Sequence, residues 1–556
     1  MPTHDFPNTL YLPDRAKLAI NCFTGCLNPA EDSLPYCLMD ISGEQPRMRH
    51  TQFDWSDHAS RVIDGLILAR ALGATDQGGE ALGNLLPLFW RGFGDDGLHY
   101  TPDNDWSFRH ANMHYQRSVL NALLALALGH DSDQAAEQAR RLAYGLDDIA
   151  IAREGFKYFP AVERMPEGWP RGDWGILGFG VDPANTSGRL LFGLTRLYEL
   201  LNDDRVAALA RGFARHVTHH SSAYTPDGGF ATGMEFREGH FHSRAVTMLG
   251  VVRLGYSLGD SELVGWGRNV FEQARSYGTT FGWFPERLVK SAAHGCETCA
   301  IVDMMETAIW LAKSGYTQYW ADAERFLRNH LVESQLTNVD WCVACDEEHG
   351  ADKWETTVNV AERVLGGFAG WSQPNDFVSK VMHEWDLYTC CCAQGVRGLF
   401  NAWNNTVSIS GDRISVNLLL NHHSDAVDVR SWLPHAGKVA VTPRQDSVIR
   451  IRVPEWLDAR TLSAAEDGQA VELIQPVPLF AQTPMVQAGR TVTFTFPVAE
   501  FARTETVLDV DYRTYWRGDT VMQIHPQGPR APLYQRHPAP TDIIVSRDVP
   551  DITFVL

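Results

Sequence analysis

The first 400 residues alternate between strongly apolar and more polar helical segments. Five stretches share one plan, in which an apolar segment, a short turn of Gly, Asn or Asp, and an amphipathic segment follow one another: residues 60–86, 118–146, 189–217, 245–274 and 305–331. The first segment of each pair is apolar nearly all round, as in a helix that lies inside a protein. The second carries its apolar residues on one side, as in a helix that faces water. The pattern therefore predicts five helical pairs.

The turns of these pairs recur at a regular distance. They lie near Gly73, Gly129, Asn202, Gly259 and Gly315, which gives spacings of about 56, 73, 57 and 56 residues. A period of this kind is typical of repeated structural units. A sixth apolar helix is expected after residue 390. Six inner helices around one axis form an (α/α)6 toroid, and the Gly- and Trp-rich loops between the pairs favour this closed ring over a straight solenoid.

The pattern changes after Asn404. Residues 406–420, 438–454 and 489–501 alternate apolar and polar positions and are separated by Gly, Pro, Asp and Asn. A period of two with such breakers predicts antiparallel strands, and their spacing favours a β-sandwich over a parallel sheet. The sequence thus predicts two domains, an (α/α)6 barrel over residues 1–404 and a β-sandwich over residues 405–556.

Composition and charge exclude several classes of protein. The chain has 48 Lys and Arg against 68 Asp and Glu, a formal charge of −20, which argues against a general nucleic-acid binder. No apolar run approaches the roughly 18 residues of a membrane helix. The first residues show no basic segment followed by an apolar one, so a cytoplasmic location is expected. The sequence does not fix the oligomeric state, and a homodimer is one alternative.

The cysteines are the most unusual feature of the composition. In a chain without a secretion signal they are expected to be thiols, and Cys22, Cys26 and Cys37 are expected to be buried small hydrophobic residues. Cys390, Cys391 and Cys392 are adjacent and open a predicted helix, where the helix dipole favours a thiolate. This triple predicts a metal site or a reactive thiol.

A second cysteine motif also comes directly before an apolar helix. Cys296 and Cys299 form a CxxC pair, while Glu297 and Cys299 form an ExC pair. Residues two apart do not share a helix face, so Glu297 and Cys299 can bind one ion only from a loop or a first turn. A structural zinc site that pairs Cys296 and Cys299 with Cys342 and Cys345 is an alternative, although the 42 residues between the pairs exceed the usual spacing.

The two motifs together resemble a known family. Glu297-Thr298-Cys299-Ala300, followed about ninety residues later by Cys391-Cys392 at the start of a helix, is similar to the ETCA and CACC-type motifs of glycoside hydrolase family 127, the β-L-arabinofuranosidases. The segment His383 to Tyr388 resembles the Trp-containing stretch that precedes the second motif. The sequence departs from the family by having CCC in place of CACC. The family fold is an (α/α)6 barrel followed by β-sandwich material.

The resemblance implies a site and a chemistry. Glu297, Cys299, Cys391 and Cys392 match the family's zinc ligands, and Cys391 matches the nucleophile that forms a thioglycosyl enzyme. The acid/base glutamate of the family lies upstream of ETCA, where Glu286 is the nearest candidate, in apolar surroundings that suit a general acid. Other carboxylates expected near the mouth of the barrel are Glu235, Glu238 and Glu384.

Two histidines are expected at the same mouth. His114 and His242 both start an inner helix, and His114 resembles a family position that lines the sugar pocket. A histidine that merely caps or packs at a helix start is the alternative. Asp54 and Trp55 occupy a similar position on the first pair.

These observations predict a zinc-dependent, retaining exo-glycosidase that acts on a β-L-arabinofuranoside or a related sugar, with a small carbohydrate as substrate and no nucleic-acid or membrane partner. Two other functions stay open. One is another enzyme on the same toroid, such as an unsaturated uronyl hydrolase, a lyase or an epimerase. The other is a zinc-stabilised protein without catalytic activity that binds carbohydrate or senses redox state.

Overall fold

The computed structural model describes residues 3–130, 132–170, 183–231, 239–288, 295–348, 353–380, 384–537 and 543–549. Its α-helices are α1 (Leu12–Gly25), α2 (Ser60–Gly73), α3 (Gly79–Arg91), α4 (Met113–Gly129), α5 (Asp133–Ile149), α6 (Pro183–Gly188), α7 (Leu191–Leu201), α8 (Asp204–His219), α9 (Phe241–Leu258), α10 (Ser261–Ser276), α11 (Thr298–Lys313), α12 (Tyr319–Phe326), α13 (Val360–Arg363) and α14 (Thr389–Thr406). Two π-helical segments cover Asp54–Ala59 and Leu327–Leu331. None of the helices in these ranges is long and apolar enough to cross a membrane.

Six helices form a closed inner ring. In order around the ring they are α2, α4, α7, α9, α11 and α14; each packs against the next, and α14 packs back against α2. The predicted helical toroid is therefore present, and a straight solenoid is wrong. Helices α5, α8 and α10 follow inner helices in the chain and lie outside the ring, each against the inner helix that precedes it.

The turns inside the helical pairs are built as the sequence predicts. Helices α2 and α4 end at Gly73 and Gly129. Asn202 and Gly259 cap the ends of α7 and α9 in the left-handed conformation, with φ of 51° and 66°. Only glycine and, less readily, asparagine adopt this conformation at low cost, so these two residues stop their helices at fixed points.

Short strands occupy the loops of the helical region. They are β1 (Thr3–Pro7), β2 (Leu27–Asn28), β3 (Leu34–Pro35), β4 (Leu38–Asp40), β5 (Arg47–Arg49), β6 (Ala111–Asn112), β7 (Ile151–Arg153), β8 (Phe156–Tyr158), β9 (Glu163–Arg164), β10 (Tyr224–Thr225), β11 (Gly229–Phe230), β12 (Glu355–Thr356) and β13 (Leu387–Tyr388). Strands β12, β5, β4 and β13 form one sheet, which lies beside the start of α14.

The C-terminal region is rich in strands. They are β14 (Val407–Ser410), β15 (Arg413–Val416), β16 (His422–His423), β17 (Val427–Ser431), β18 (Lys438–Pro443), β19 (Ser447–Arg452), β20 (Ser463–Glu466), β21 (Gln469–Val471), β22 (Ile474–Val477), β23 (Phe480–Val486), β24 (Val492–Thr495), β25 (Glu500–Val507), β26 (Val510–Arg517), β27 (Thr520–His525) and β28 (Ile544–Asp548). The last α-helix ends at Thr406 and β14 begins at Val407. The division into two domains after residue 404 stays a prediction.

Two open sheets dominate this region. One has the order β14, β15, β19, β23, β22, and the other β16, β17, β18, β24, β20, β21. Apolar residues of both sheets, among them Ile449 and Val439, belong to one hydrophobic cluster. The pairing is antiparallel except for β15 with β19, which run parallel. The detailed sandwich packing stays a prediction.

A buried ion-pair network joins the helical and β regions. Glu324 of α12 is fully buried and accepts hydrogen bonds from Arg328 Nε (2.5 Å), from Arg452 of β19 and from the backbone N–H of Leu419 (2.9 Å). A carboxylate away from water needs such partners, because an unpaired buried charge is costly. The network therefore fixes the β region against the ring.

Candidate active site

The two cysteine motifs meet because their helices are neighbours in the ring. Glu297 is the N-cap residue of α11, and Cys299 lies in the first turn of that helix. Cys390 and Cys391 lie in the first turn of α14, which packs against α11. Glu297 has an extended backbone (φ −73°, ψ 126°), so it points to the same place as Cys299 although the two are only two residues apart.

The start of α14 is held from the preceding strand. Strand β13 pairs with β4 through Leu387 and Met39. Thr389 Oγ1, at the first position of α14, donates a hydrogen bond to the backbone oxygen of Tyr36 at 2.7 Å. These bonds fix the direction in which Cys390 and Cys391 leave the helix.

The four side chains form a compact cluster of potential metal ligands. One ligand atom from each of Glu297, Cys299, Cys390 and Cys391 lies within 4.8 Å of all the others, and all four residues are buried. The distance from Cys299 Sγ to Cys391 Sγ is 3.6 Å, and that from Cys390 Sγ to Cys391 Sγ is 3.8 Å. A tetrahedral zinc ion with Zn–S bonds of about 2.3 Å separates its sulfur ligands by about 3.8 Å. The donor set and its spacing therefore fit a zinc ion.

Cys392 does not join this cluster, which corrects the expected ligand set. Its Sγ lies 3.7 Å from Cys22 Sγ and 3.3 Å from the backbone nitrogen of Phe368, which donates to it. Successive residues of a helix are rotated by about 100°, so only two of three adjacent cysteines can face one point. Here the two are Cys390 and Cys391, and Cys390 replaces Cys392 in the group.

Cys390 and Cys391 differ in what they face. Cys390 lines a pocket at the mouth of the ring and is 5% exposed, whereas Cys391 is fully buried behind it. Burial raises the pKa of the Cys390 thiol, but hydrogen bonds from Cys299 and Cys391 and the charge of Arg61 bring it down to about 7. Burial raises the pKa of Cys391 well above its usual range. Cys390 is thus the thiol that can reach a molecule in the pocket as a thiolate.

The pocket is lined almost entirely by polar and aromatic side chains. Both predicted histidines, His114 and His242, are among them. The other lining residues are Phe53, Asp57, Arg61, Asn112, Tyr115, Val162, Arg189, His240, Glu297, Tyr388 and Cys390. A concave site with convergent hydrogen-bonding groups and aromatic rings is suited to a small polar molecule such as a sugar.

Two of the histidines are held by carboxylates. His242 Nδ1 lies 2.6 Å from Asp303 Oδ2, and Gln394 Nε2 donates to the other oxygen of Asp303 at 3.2 Å. His240 Nε2 lies 2.9 Å from Glu297 Oε2. Burial lowers the pKa of both histidines, so both rings are neutral near pH 7.

Asp57 and Arg61 were missed by the sequence analysis. Arg61 Nε donates to Asp57 Oδ1 at 2.6 Å, and Ser118 donates to the same oxygen. Burial raises the pKa of Asp57, but the charges of Arg61 and His58 and the hydrogen bonds from Ser118 and Arg61 together lower it below its ordinary value, so the group stays ionised. The signal that could have indicated this ion pair is the spacing of four residues between Asp57 and Arg61 at the start of the first inner helix. Asp54, which the sequence analysis named instead, bonds to His50 at 2.8 Å.

The proposed acid Glu286 does not belong to the described lining of the pocket. It is buried, its Oε1 lies 3.7 Å from Arg287 Nε, and its backbone bonds to Phe241 and Gly295 on either side. Of the other carboxylates expected near the mouth, Glu384 is exposed and bonds to Arg47 at 2.9 Å. Residues 235 and 238 lie outside the described residues.

A different carboxyl group lies next to the pocket. Glu163 of β9 is 6% exposed and accepts a hydrogen bond at 3.2 Å from Asn112 Nδ2, and both Asn112 and the preceding Val162 line the pocket. Burial raises the pKa of Glu163 to about 7. No motif in the sequence pointed to this residue, because it reaches the site through a two-residue strand pairing.

The alternative zinc site of two CxxC pairs is not formed among the described residues. Cys296 accepts a hydrogen bond from the backbone of Phe284 at 3.2 Å and stays outside the cluster around Cys299. Cys345 Sγ bonds to the backbone oxygen of Glu347, and neither it nor Cys342 belongs to a group of potential ligands.

The fold is that of known glycoside hydrolases. A glycoside hydrolase matches with a TM-score of 0.58 and 13% identity, over 90% of this chain and 85% of its own. A GH127 β-arabinofuranosidase matches with a TM-score of 0.61 and 14% identity, over 93% of this chain and 83% of its own. A GH127 β-L-arabinofuranosidase from Geobacillus stearothermophilus T6 matches with a TM-score of 0.57 and 13% identity, over 94% of this chain and 86% of its own.

These neighbours confirm the resemblance to family 127 at the level of the fold. At such low identity they say nothing further about this chain. No protein-family model matches the sequence, and the search of curated proteins finds no match.

Proposed function

We propose that this protein is a zinc-dependent, retaining exo-glycosidase that releases a terminal β-L-arabinofuranose or a related sugar. The observation that carries the proposal is the convergence of Glu297, Cys299, Cys390 and Cys391 in one buried cluster, of which Glu297 and Cys390 line a polar pocket at the mouth of the ring. Four anionic ligands suit zinc, and zinc, when bound, keeps coordinating thiols deprotonated. Cys342 and Cys345 have no role in this proposal.

The nucleophile of this proposal is Cys390 rather than the expected Cys391. The Cys390 sulfur attacks the anomeric carbon, a C–S bond forms and the C–O bond to the leaving group breaks. Water then displaces the sulfur with a second inversion, so the configuration is retained. Cys390 is favoured because it lines the pocket and its thiolate is accessible at neutral pH, whereas Cys391 lies behind it.

The leaving oxygen needs a proton from a carboxyl group, which then serves as base for water. Glu286 stays the proposed acid/base from the family resemblance. Glu163 is a second candidate, favoured by its place beside the pocket-lining Asn112 and by a pKa of about 7, which keeps a proton available near neutral pH. His114 and His242 are proposed to bind the sugar.

A panel of nitrophenyl glycosides, assayed with zinc and a reducing agent, tests the function. We expect hydrolysis of the β-L-arabinofuranoside, and a first-formed product with the β configuration by NMR. Cys390→Ser should abolish turnover, whereas Cys392→Ser, the matched control two residues along the same helix, should keep most of it. No hydrolysis of any glycoside by zinc-loaded protein would favour the non-catalytic alternative.

Intact-protein mass spectrometry separates the two candidate acids. With an activated aryl glycoside the first step needs little protonation, so the variant that lacks the base should accumulate a glycosyl adduct. We expect Glu286→Gln or Glu163→Gln, but not both, to do so and to lose roughly 10²–10⁴-fold in turnover. If neither variant loses turnover rate, neither glutamate is the acid/base. That result would not contradict the assignment of Cys390 as the nucleophile.

A further inference from the structure

A chain of hydrogen bonds runs from the sugar pocket to the carboxylate of the cluster. Arg189 Nη2 donates to Ser243 Oγ, Ser243 Oγ lies 2.7 Å from His240 Nδ1, and His240 Nε2 lies 2.9 Å from Glu297 Oε2. All four side chains are buried. The chain of bonds connects residues from the start of α9, from the segment before α7 and from the N-cap of α11, and the packing of these three neighbouring helices brings them together.

The donors and acceptors of this chain lead from Arg189 to Glu297. Arg189 can only donate, so Ser243 Oγ accepts from it. An ionised carboxylate can only accept, so the ring of His240 donates to Glu297 Oε2 through Nε2–H. In the neutral ring with its proton on Nε2, Nδ1 accepts the hydroxyl hydrogen of Ser243. One oxygen of Glu297 is thereby fixed, and the carboxylate is oriented toward the three sulfurs.

The other end of the chain faces the pocket. Arg189 lines the pocket and is 6% exposed, and its Nε has no hydrogen-bond partner among the described residues. His114 Nε2, in the same pocket, is likewise buried without a partner in the described part of the chain. A buried N–H group without an acceptor is costly, which indicates that a ligand atom completes it.

The charges around Arg189 indicate what kind of atom it binds. Among the residues that line the pocket, the two carboxylates of Asp57 and Glu297 match the two guanidinium groups of Arg61 and Arg189 in number, and Arg61 is paired with Asp57. A neutral acceptor such as a sugar hydroxyl or ring oxygen therefore fits this lining.

We propose that Arg189, Ser243 and His240 are positioning residues that couple the sugar pocket to Glu297. Arg189 Nε–H donates to an oxygen of a neutral sugar, while the Arg189–Ser243–His240 chain holds Glu297 in its ligand orientation. The sugar-binding half rests on the proposed function, whereas the half that concerns Glu297 needs only that the cluster binds zinc.

Zinc affinity tests the second half without any substrate. Zn²⁺ alone is titrated against a competing chelator, and Co²⁺ substitution reports the ligand field by visible absorption. Loss of a bond to a metal ligand weakens metal binding about 10–100-fold, so His240→Ala, which removes the bond to Glu297, should bind zinc at least tenfold more weakly and shift the Co²⁺ bands. Ser243→Ala keeps that bond but releases His240 Nδ1, so it should weaken zinc binding by a smaller factor. His240→Gln, which keeps an N–H for Glu297, should lose less than His240→Ala.

Thr247→Val is the matched control, because Thr247 lies one turn along α9 and its buried hydroxyl donates to the backbone oxygen of Ser243 at 2.9 Å. It should bind zinc like the wild type. The proposed role of the Arg189–Ser243–His240 chain would be overturned by wild-type zinc affinity in both Ser243→Ala and His240→Ala. An equal loss of zinc affinity in Thr247→Val would overturn it as well.

Kinetics test the sugar-binding half. Arg189→Lys keeps a cation that can reach Ser243 but loses Nε–H, so KM for the preferred neutral glycoside should rise about tenfold, with a smaller change in kcat. An unchanged KM, or a higher kcat/KM for a uronate glycoside than for its neutral counterpart, would overturn the assignment of Arg189 to a neutral sugar. If no glycoside is hydrolysed, the proposed function fails. The zinc titration still shows whether the Arg189–Ser243–His240 chain positions Glu297.

Discussion

The three adjacent cysteines allow a direct test of the corrected ligand set. Cys390→Ala removes a sulfur from the cluster around Glu297, whereas Cys392→Ala removes a sulfur that packs against Cys22 and accepts a bond from the Phe368 backbone. Both changes delete one buried sulfur from the first turn of α14. They should nevertheless have different consequences for zinc and for stability.

The magnitudes follow from what each sulfur contacts. Bound zinc stabilises the folded state by about 2.7 kcal/mol when its free concentration is 100 times its Kd, and by about 4.1 kcal/mol at 1,000 times. Cys390→Ala should abolish this increment. Cys392→Ala leaves a buried N–H without its acceptor, which costs roughly 1–3 kcal/mol, and this loss should be the same with and without zinc.

The assay combines elemental analysis with unfolding in the presence of zinc or of a chelator. We expect about one zinc per chain in the wild type and in Cys392→Ala, and far less in Cys390→Ala. Cys22→Ala, which removes the packing partner of Cys392, is the matched control and should keep its zinc. If Cys392→Ala loses zinc while Cys390→Ala retains it, our assignment of the two cysteines is wrong.

Three further predictions concern single residues. The pKa of Glu163 is about 7 in the folded protein against an ordinary value of 4.5, so its contribution to stability is present below about pH 4.5 and is lost as pH rises through 7. Over this pH range the wild type should lose up to about 3 kcal/mol of unfolding free energy that Glu163→Gln does not lose. Equal pH profiles of the two proteins in denaturant unfolding would contradict this. Glu324→Gln leaves two buried arginines without their carboxylate and should cost about 3–5 kcal/mol in the same experiment, whereas a loss below 1 kcal/mol would show that the network is not needed. Gly395→Ala should destabilise the protein by about 1–3 kcal/mol despite its better helix propensity, because the new Cβ would lie 2.4 Å from the ring of Phe368; a more stable variant in thermal unfolding would refute this packing.

Much of the fold could be predicted because it depends on local signals. The apolar segments and the helix-ending residues near Gly73, Gly129, Asn202 and Gly259 are readable one segment at a time, and the structure places the ends of four inner helices there. The change to a period of two after Asn404 likewise marks the start of the strands. The parallel pairing of β15 with β19 was not predicted, because register between distant strands has no local signal.

The candidate site was predicted only in part. Glu297 and Cys299 are close in sequence, and their role as a pair could be predicted from the motif. The choice between Cys390 and Cys392 could not, since it depends on the rotation of α14, which β13 and the Tyr36 backbone set from outside the helix. Glu163 reaches the pocket edge through a single strand pairing with Asn112, which the sequence does not reveal.

By itself, then, the sequence determined which segments are helices, where they stop, and which residue types could bind a metal, because propensity, capping and thiol chemistry are properties of short stretches. Tertiary structure decided which of those residues meet. Arg189, His240 and Glu297 lie far apart along the chain, and the hydrogen bonds that connect them through Ser243 form only because α7, α9 and α11 pack side by side with their starts at one mouth of the ring. This packing fixes distance and direction together, and a hydrogen bond or a metal ligand needs both.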